Sequence, residues 1–260
     1  MLSKARIKWI KSLEQRKHRQ ENMAFVAEGP KLVGELLPFM TPLYLAATEE
    51  WAAAHPEAMR QAREADVVSR AELERASLLR TPQTVLAVLP LPERQLDVNA
   101  LHGCLSLALD GVQDPGNLGT ILRIADWFGI RHVICSEGTV DAYNPKCVQS
   151  SMGALARVGV YQVGSLVEFL RYAQAQADLR QTGIPVYGTF LDGNNIYDEE
   201  ITPNGIIVMG NEGNGISDDV RQLITHRLYI PNYPLGSQTT ESLNVAVATA
   251  IVCAEFRRRF

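Results

Sequence analysis

The chain is poor in cysteine, and the four it has are scattered. Cys104, Cys135, Cys147 and Cys253 form no CxxC pair and share no Cys/His ligand spacing, which excludes a conventional zinc site and a disulfide framework. Reduced, mostly buried thiols are expected. Long hydrophobic runs are also missing: LNVAVATAIVCA near the C-terminus falls short of the roughly 20 residues that cross a bilayer. The first twenty residues, MLSKARIKWIKSLEQRKHRQ, are charged throughout and contain no signal-peptide core. A cytoplasmic protein without a membrane partner is therefore expected. Internal repeats and low-complexity tracts are absent too. With 260 residues and 46% hydrophobic content, disordered and fibrous classes drop out, and the chain suffices for one large or two modest domains.

A net charge of −4 argues weakly against a nucleic-acid partner, but the charge is unevenly spread. The first twenty residues carry seven Lys or Arg (Lys4, Arg6, Lys8, Lys11, Arg16, Lys17, Arg19) against Glu14, a local +6 that leaves −10 for the rest. A basic arm on an acidic body suits a phosphate backbone; a solvated helix face fits the same charges.

From Ile7 to about Pro90, helical stretches (RIKWIKSLEQRKHR, EEWAAAHPEAMRQARE, RAELERASLL) mix with short β-type runs (LYLAAT, VVS, TVLAVL), as in a small α/β domain. LPLPERQLDVNALHG reads as a linker, giving domains 1–95 and 96–260. Beyond it a strand–helix rhythm runs from LSLALD to ESLNVAVATAIVCAEFRRR, including PVYGTF and GIIVMG as strands. Apolar strands alternating with helices predict a parallel sheet covered on both faces.

Three segments carry candidate chemistry. MGNEGNGIS places Gly210, Gly213 and Gly215 around Glu212 directly after an apolar strand. Its G-x-x-G-x-G spacing is not a dinucleotide fingerprint, and the GK[ST] of a P-loop is missing. A carboxylate there repels phosphate and suits a cation or a hydroxyl donor. In LDGVQDPGNLGTILRIADWFGI, one stripe of Leu118, Ile121, Leu122, Ala125 and Phe128 predicts a helix from about Asn117, with Arg123 on the polar side. Asn117 as a helix cap and Arg123 as a surface charge explain the same pattern. In LYIPNYPLGSQTTESLNVAVATAIVCAEF, Ser242 and Asn244 precede residues small or apolar all round, which predicts a buried helix, with Ser242 explicable as its N-cap.

DPGNLGTILRIAD, IVMGNEGNGIS and IPNYPLGSQTTESLNVAVA, in that order, resemble the three signature motifs of the SpoU/TrmH family of RNA ribose 2'-O-methyltransferases, in the SPOUT superfamily. The likeness runs from Leu105 to the C-terminus and takes in NPKCVQSSMGAL. FVAEGPKLVGELL resembles part of that family's ribosomal-protein-like RNA-binding substrate domain. The resemblance implies an α/β fold with a C-terminal trefoil knot, a rare exception to unknotted topology. It also implies a homodimer through the knot, an RNA partner (ribosomal slightly favoured over transfer RNA), and S-adenosylmethionine as cofactor.

Residue by residue, Gly210, Ile230 and Leu243 match the family's backbone contacts to that cofactor. Leu235 and Gly236 fall in a link, NYPLGSQTT, several residues longer than is usual there, and complete the cofactor set. Asn117, Arg123, Glu212, Ser242 and Asn244 match its polar catalytic positions. The arginine is held in the family to accept the hydroxyl proton or to organise its removal. A guanidinium with pKa above about 12 is rarely neutral, so we expect Arg123 to grip the phosphate beside the target ribose and orient its hydroxyl. A fold-keeping RNA-binding protein without catalysis and a knotted base methyltransferase are the other readings; methylated-nucleoside analysis separates all three. Arg257, Arg258 and Arg259 either extend the RNA surface or form a solvated tail.

Overall fold

A computed structural model describes residues 2–176, 183–235, 237–238, 240 and 242–260. The chain divides into two compact units, Met1–Glu93 with Asp141–Ala156, and Arg94–Val140 with Arg157–Phe260.

In the first unit, the basic stretch expected as one helix is two, α1 (Lys4–Ser12) and α2 (Arg16–Asn22). The carbonyls of Leu13 and Glu14, released at the break, accept from the Arg19 guanidinium at 2.8 and 2.6 Å. Arg19 is buried and pairs with Asp141 at 2.6 Å, so it is structural. Arg6 pairs with Glu64 and lies 4.4 Å over the Tyr44 ring. Lys4, Lys8 and Lys11 are the exposed cations of α1. Four strands, β1 (Ala24–Glu28), β2 (Tyr44–Ala47), β3 (Ala65–Val67) and β4 (Val85–Pro90), make a sheet in the order β1-β4-β2-β3. Its helices are α3 (Pro30–Leu36), α4 (Glu49–Ala54), α5 (Pro56–Gln61) and α6 (Arg70–Ala76). EEWAAAHPEAMRQARE breaks at His55 because Pro56 has no N–H to donate and starts a new helix instead. α8 (Pro145–Ser151) packs on β1, and Tyr143 sits 5.0 Å from Phe25, ring to ring.

The second unit holds a six-stranded, wholly parallel sheet, as the apolar strand–helix rhythm predicts. Its strands are β5 (Leu105–Asp110), β6 (His132–Cys135), β7 (Gly159–Gln162), β8 (Val186–Asn195), β9 (Gly205–Gly210) and β10 (His226–Tyr229), in the order β10-β8-β9-β5-β6-β7. Helices α7 (Pro115–Trp127), α9 (Leu166–Ala175), α10 (Asp218–Arg221) and α11 (Val245–Arg259) complete it. α9 packs Leu166, Leu170 and Ala173 into a cluster with Ala108, Ile134, Val186 and Val208 of the strands. α11 packs on α7 and β9. The expectation that α11 is buried all round is corrected in part: Val252, Cys253 and Phe256 are buried, whereas Val247 is 49% exposed. The arginine tail is tied down at two points. Arg257 donates to the Phe128 carbonyl at 2.8 Å, and Arg259 donates to those of Glu199 and Ile196 at 2.6 and 2.7 Å. Hydrogen bonds from Arg258 and Arg259 hold the Glu255 carboxyl down at about 2, against a smaller upward push from burial. No helix among the described residues is long and apolar enough to cross a membrane.

Candidate functional site

β5 and β9 lie side by side with Asp110 opposite Gly210. β6 and β7 continue the sheet to one side, β8 and β10 to the other. Open parallel sheets form a crevice at such a reversal, beyond the carboxyl ends of the strands. Two of the sequence motifs meet there, one following each strand.

The glycine loop is a closed structure. Asn211 and Gly215 exchange backbone hydrogen bonds at 2.9 and 3.0 Å, and Asn211 Oδ1 accepts from the amides of Gly213 and Asn214. Gly210 is required by this fold-back: a Cβ there would stand 2.2 Å from the carbonyl carbon of Gly215. Asn211 Nδ2 reaches the Gly111 carbonyl at 2.7 Å, and Asp110 accepts from both the amide and the hydroxyl of Ser217. The loop is thereby tied to the end of β5 at both of its sides.

Glu212 points at the start of α7. Its Oε1 accepts from Asn117 Nδ2 at 3.0 Å and from the Asp114 amide at 3.3 Å; its Oε2 accepts from the Gln113 amide at 3.3 Å. Burial pushes the carboxyl up, but the Asn117 and backbone hydrogen bonds outweigh it and leave it below its ordinary value. A carboxylate beside a helix N-terminus is further favoured by the helix dipole. Asp114, not Asn117, caps α7, accepting from the Asn117 amide at 2.9 Å. Asn117 therefore has its side chain free to bridge, and its Oδ1 accepts from Asn244 Nδ2 at 3.0 Å. Asn244, not Ser242, caps α11, its Oδ1 taking the amides of Ala246 and Val247. Glu212, Asn117 and Asn244 thus form one continuous line across the two helix starts.

Beside this line opens a cleft of about 600 Å³, of the size that holds a small organic ligand. Gly210, Glu212, Ile230, Ser242 and Leu243 all line it, with Met209, Leu228 and Val245 among its apolar walls. Arg123 is not drawn to the Glu212 line. It stands exposed on α7, about 9 Å further along the axis than Asn117, with no hydrogen bond or ion pair among the described residues. Leu235 is 76% exposed and forms no part of the cleft wall drawn by the described residues. Gly236 lies outside the described residues.

Sequence reading passed over Asp110 and Asn211, which fix the loop, and Asp114, which caps α7, although an Asn or Asp at a glycine turn was a usable signal. It also stopped the PVYGTF strand at Phe190, whereas β8 continues to Asn195 and lines the cleft with Thr189, Phe190, Leu191 and Asp192. Among the described residues no group of three or more His, Cys, Asp or Glu is placed to hold a metal.

A family model described as SpoU rRNA methylase matches residues 104–254, and one described as an MRM3-like substrate-binding domain matches residues 4–87. The chain belongs to the SpoU rRNA methylase family. The SpoU match covers all three motifs of the Glu212 line and the residues that line the cleft. A Bacillus subtilis protein named 23S rRNA (guanosine(2553)-2'-O)-methyltransferase RlmP is 32% identical over 97% of this chain and 96% of its own length. A solved structure of a TrmH-family protein from Porphyromonas gingivalis is 44% identical over 100% of both chains, with a TM-score of 0.83. The SpoU methyltransferase AviRb of Streptomyces viridochromogenes, solved in complex with AdoMet, is 25% identical over 99% of this chain and 98% of that one, with a TM-score of 0.84.

Proposed function

We propose that this chain is an S-adenosylmethionine-dependent methyltransferase that modifies a ribose 2'-hydroxyl of large-subunit ribosomal RNA. The convergence of Gly210, Ile230, Ser242 and Leu243 on one cleft beside the Glu212–Asn117–Asn244 line carries this reading. The lining fits the cofactor. Apolar side chains from β9, β10 and α11 can pack an adenosyl group, backbone at Gly210, Ile230 and Leu243 can meet its polar edge, and the Glu212 carboxylate suits a nearby cation. When bound, S-adenosylmethionine supplies an electrophilic methyl on a good leaving group, so the protein's tasks are alignment and proton removal.

In this reading Arg123 clamps the phosphate beside the target ribose through its planar fork. The hydroxyl proton would be taken up by an oxygen of that phosphate or by a transiently neutral Arg123 guanidine. Asn117, Asn244 and Glu212 hold the first turn of α7, the helix that also carries Arg123 further along, in register with the cleft. Ser242, two residues before the Asn244 cap of α11, lines the cleft.

The first unit, with Lys4, Lys8 and Lys11 exposed on α1, is assigned to the RNA. A homodimer is part of the proposal: Trp127 at the end of α7 is 85% exposed and Val247 on the adjoining α11 is 49% exposed, apolar surface that a second copy would cover. The C-terminal knot and a cytoplasmic setting belong to the same reading. Incubation of the protein with labelled S-adenosylmethionine and unmodified total RNA, followed by nucleoside analysis, tests it. A 2'-O-methyl nucleoside in the large ribosomal fraction, absent with Arg123→Ala, is the expected result; label on a base, or none, overturns it.

A further inference from the structure

β8 and β10 pair in two separate stretches. His226 and Arg227 lie opposite Tyr187 and Gly188, but the next residues, Leu228 and Tyr229, lie opposite Asn194 and Asn195. Residues 189–193 are thus an excursion from the ladder, and Thr189, Phe190, Leu191 and Asp192 of that excursion face the ligand cleft. An excursion from a strand has lost its ladder hydrogen bonds and needs another means of staying in place.

Side chains supply it. Asp192 Oδ2 accepts from Arg221 at 2.9 Å while its Oδ1 accepts from Arg227. The same two guanidiniums lie over the Phe190 ring, at 4.8 and 4.6 Å from its centroid. One carboxylate and one aromatic face therefore share two cations, drawn from α10 and β10. Gly193 allows the return: a Cβ there would stand 2.7 Å from the backbone of Leu228. The Leu191 side chain at the tip is 73% exposed.

We propose that Asp192 is a positioning residue for cofactor binding, pinning the 189–193 excursion through Arg221 and Arg227 so that Phe190 and Leu191 form one wall of the cleft. The inference rests on the cofactor assignment above, and it concerns residues outside the three signature motifs. Asp192 acts through the wall and not on the reacting atoms, so its loss weakens cofactor binding while turnover is regained at saturating cofactor.

Calorimetric titration of the full chain with S-adenosylmethionine tests this, comparing wild type, Asp192→Asn, Arg227→Gln and the double variant. Because the pair is largely solvent-exposed, each single change should raise the dissociation constant by about fivefold. The double variant should be little worse than either single one, since the groups act as a unit. Asp192→Glu should recover part of the affinity, and amide exchange at 189–193 in ligand-free protein should rise in Asp192→Asn without a fall in Tm. Equal affinity of wild type and Asp192→Asn overturns the proposal, as does additive loss in the double variant. A wild type that takes up no S-adenosylmethionine overturns the cofactor assignment itself, a result distinct from either.

Discussion

Asn244 donates from Nδ2 to Oδ1 of Asn117 at 3.0 Å, across 127 residues of sequence. The two asparagines stand at the starts of α11 and α7, and Glu212 extends the line by accepting from Asn117. Each amide thus uses both of its ends, and each end has a separable job.

Asn244→Asp separates them. The carboxylate keeps the cap on α11, favoured there by the helix dipole, but loses the donor to Asn117. Stability should stay near wild type while methyl transfer to RNA falls at least about tenfold. Asn244→Ala loses both, and urea unfolding should show a further loss of about 1 kcal/mol. Equal activity of Asn244→Asp and wild type would count against the bridge.

Glu212→Gln should show a pH-dependent penalty. The native carboxyl lies below its ordinary value of 4.5, so its stabilising contribution is fully present above that value and is lost as pH falls through the lower native one. The stability gap between wild type and Glu212→Gln, measured by urea unfolding, should be larger at about pH 7 than at about pH 3.5. A gap that widens on acidification reverses the sign and removes the argument.

Gly210→Ala and Gly213→Ala should differ. A Cβ at Gly210 meets the Gly215 carbonyl carbon at 2.2 Å, whereas at Gly213 the nearest atom is the Asn211 side-chain oxygen at 3.6 Å. Overpacking against backbone should cost Gly210→Ala about 1–3 kcal/mol and its cofactor binding. Gly213→Ala should leave the Tm close to wild type.

Arg123→Lys keeps the charge and loses the fork. Turnover on RNA should drop by at least about tenfold if the fork aligns phosphate and ribose. Since Arg123 is exposed and carries no partner among the described residues, stability should change by less than about 0.5 kcal/mol. S-adenosylmethionine affinity should be retained. Full turnover in Arg123→Lys would leave only point-charge attraction.

Much of the second unit was legible because its signals are local. Apolar runs such as LSLALD and GIIVMG are strands wherever they are buried on both faces, and the Leu118–Ile121–Leu122–Ala125 stripe of α7 needs only a helical period. Local chemistry also misled. Asn117 reads as a cap, yet Asp114, three residues earlier, takes that bond, and Arg19 reads as part of a basic arm, yet it is buried against Asp141.

The sequence by itself determined the parallel α/β pattern, the order of the three motifs and the concentration of chemistry within them, since these depend on residue type and short spacing. Only the tertiary structure decided what each side chain does. Glu212 meets Asn117 from 95 residues away and Asp192 meets Arg227 from 35. Periodicity carries no record of such pairs, because they exist only after the sheet has brought the ends of distant strands together.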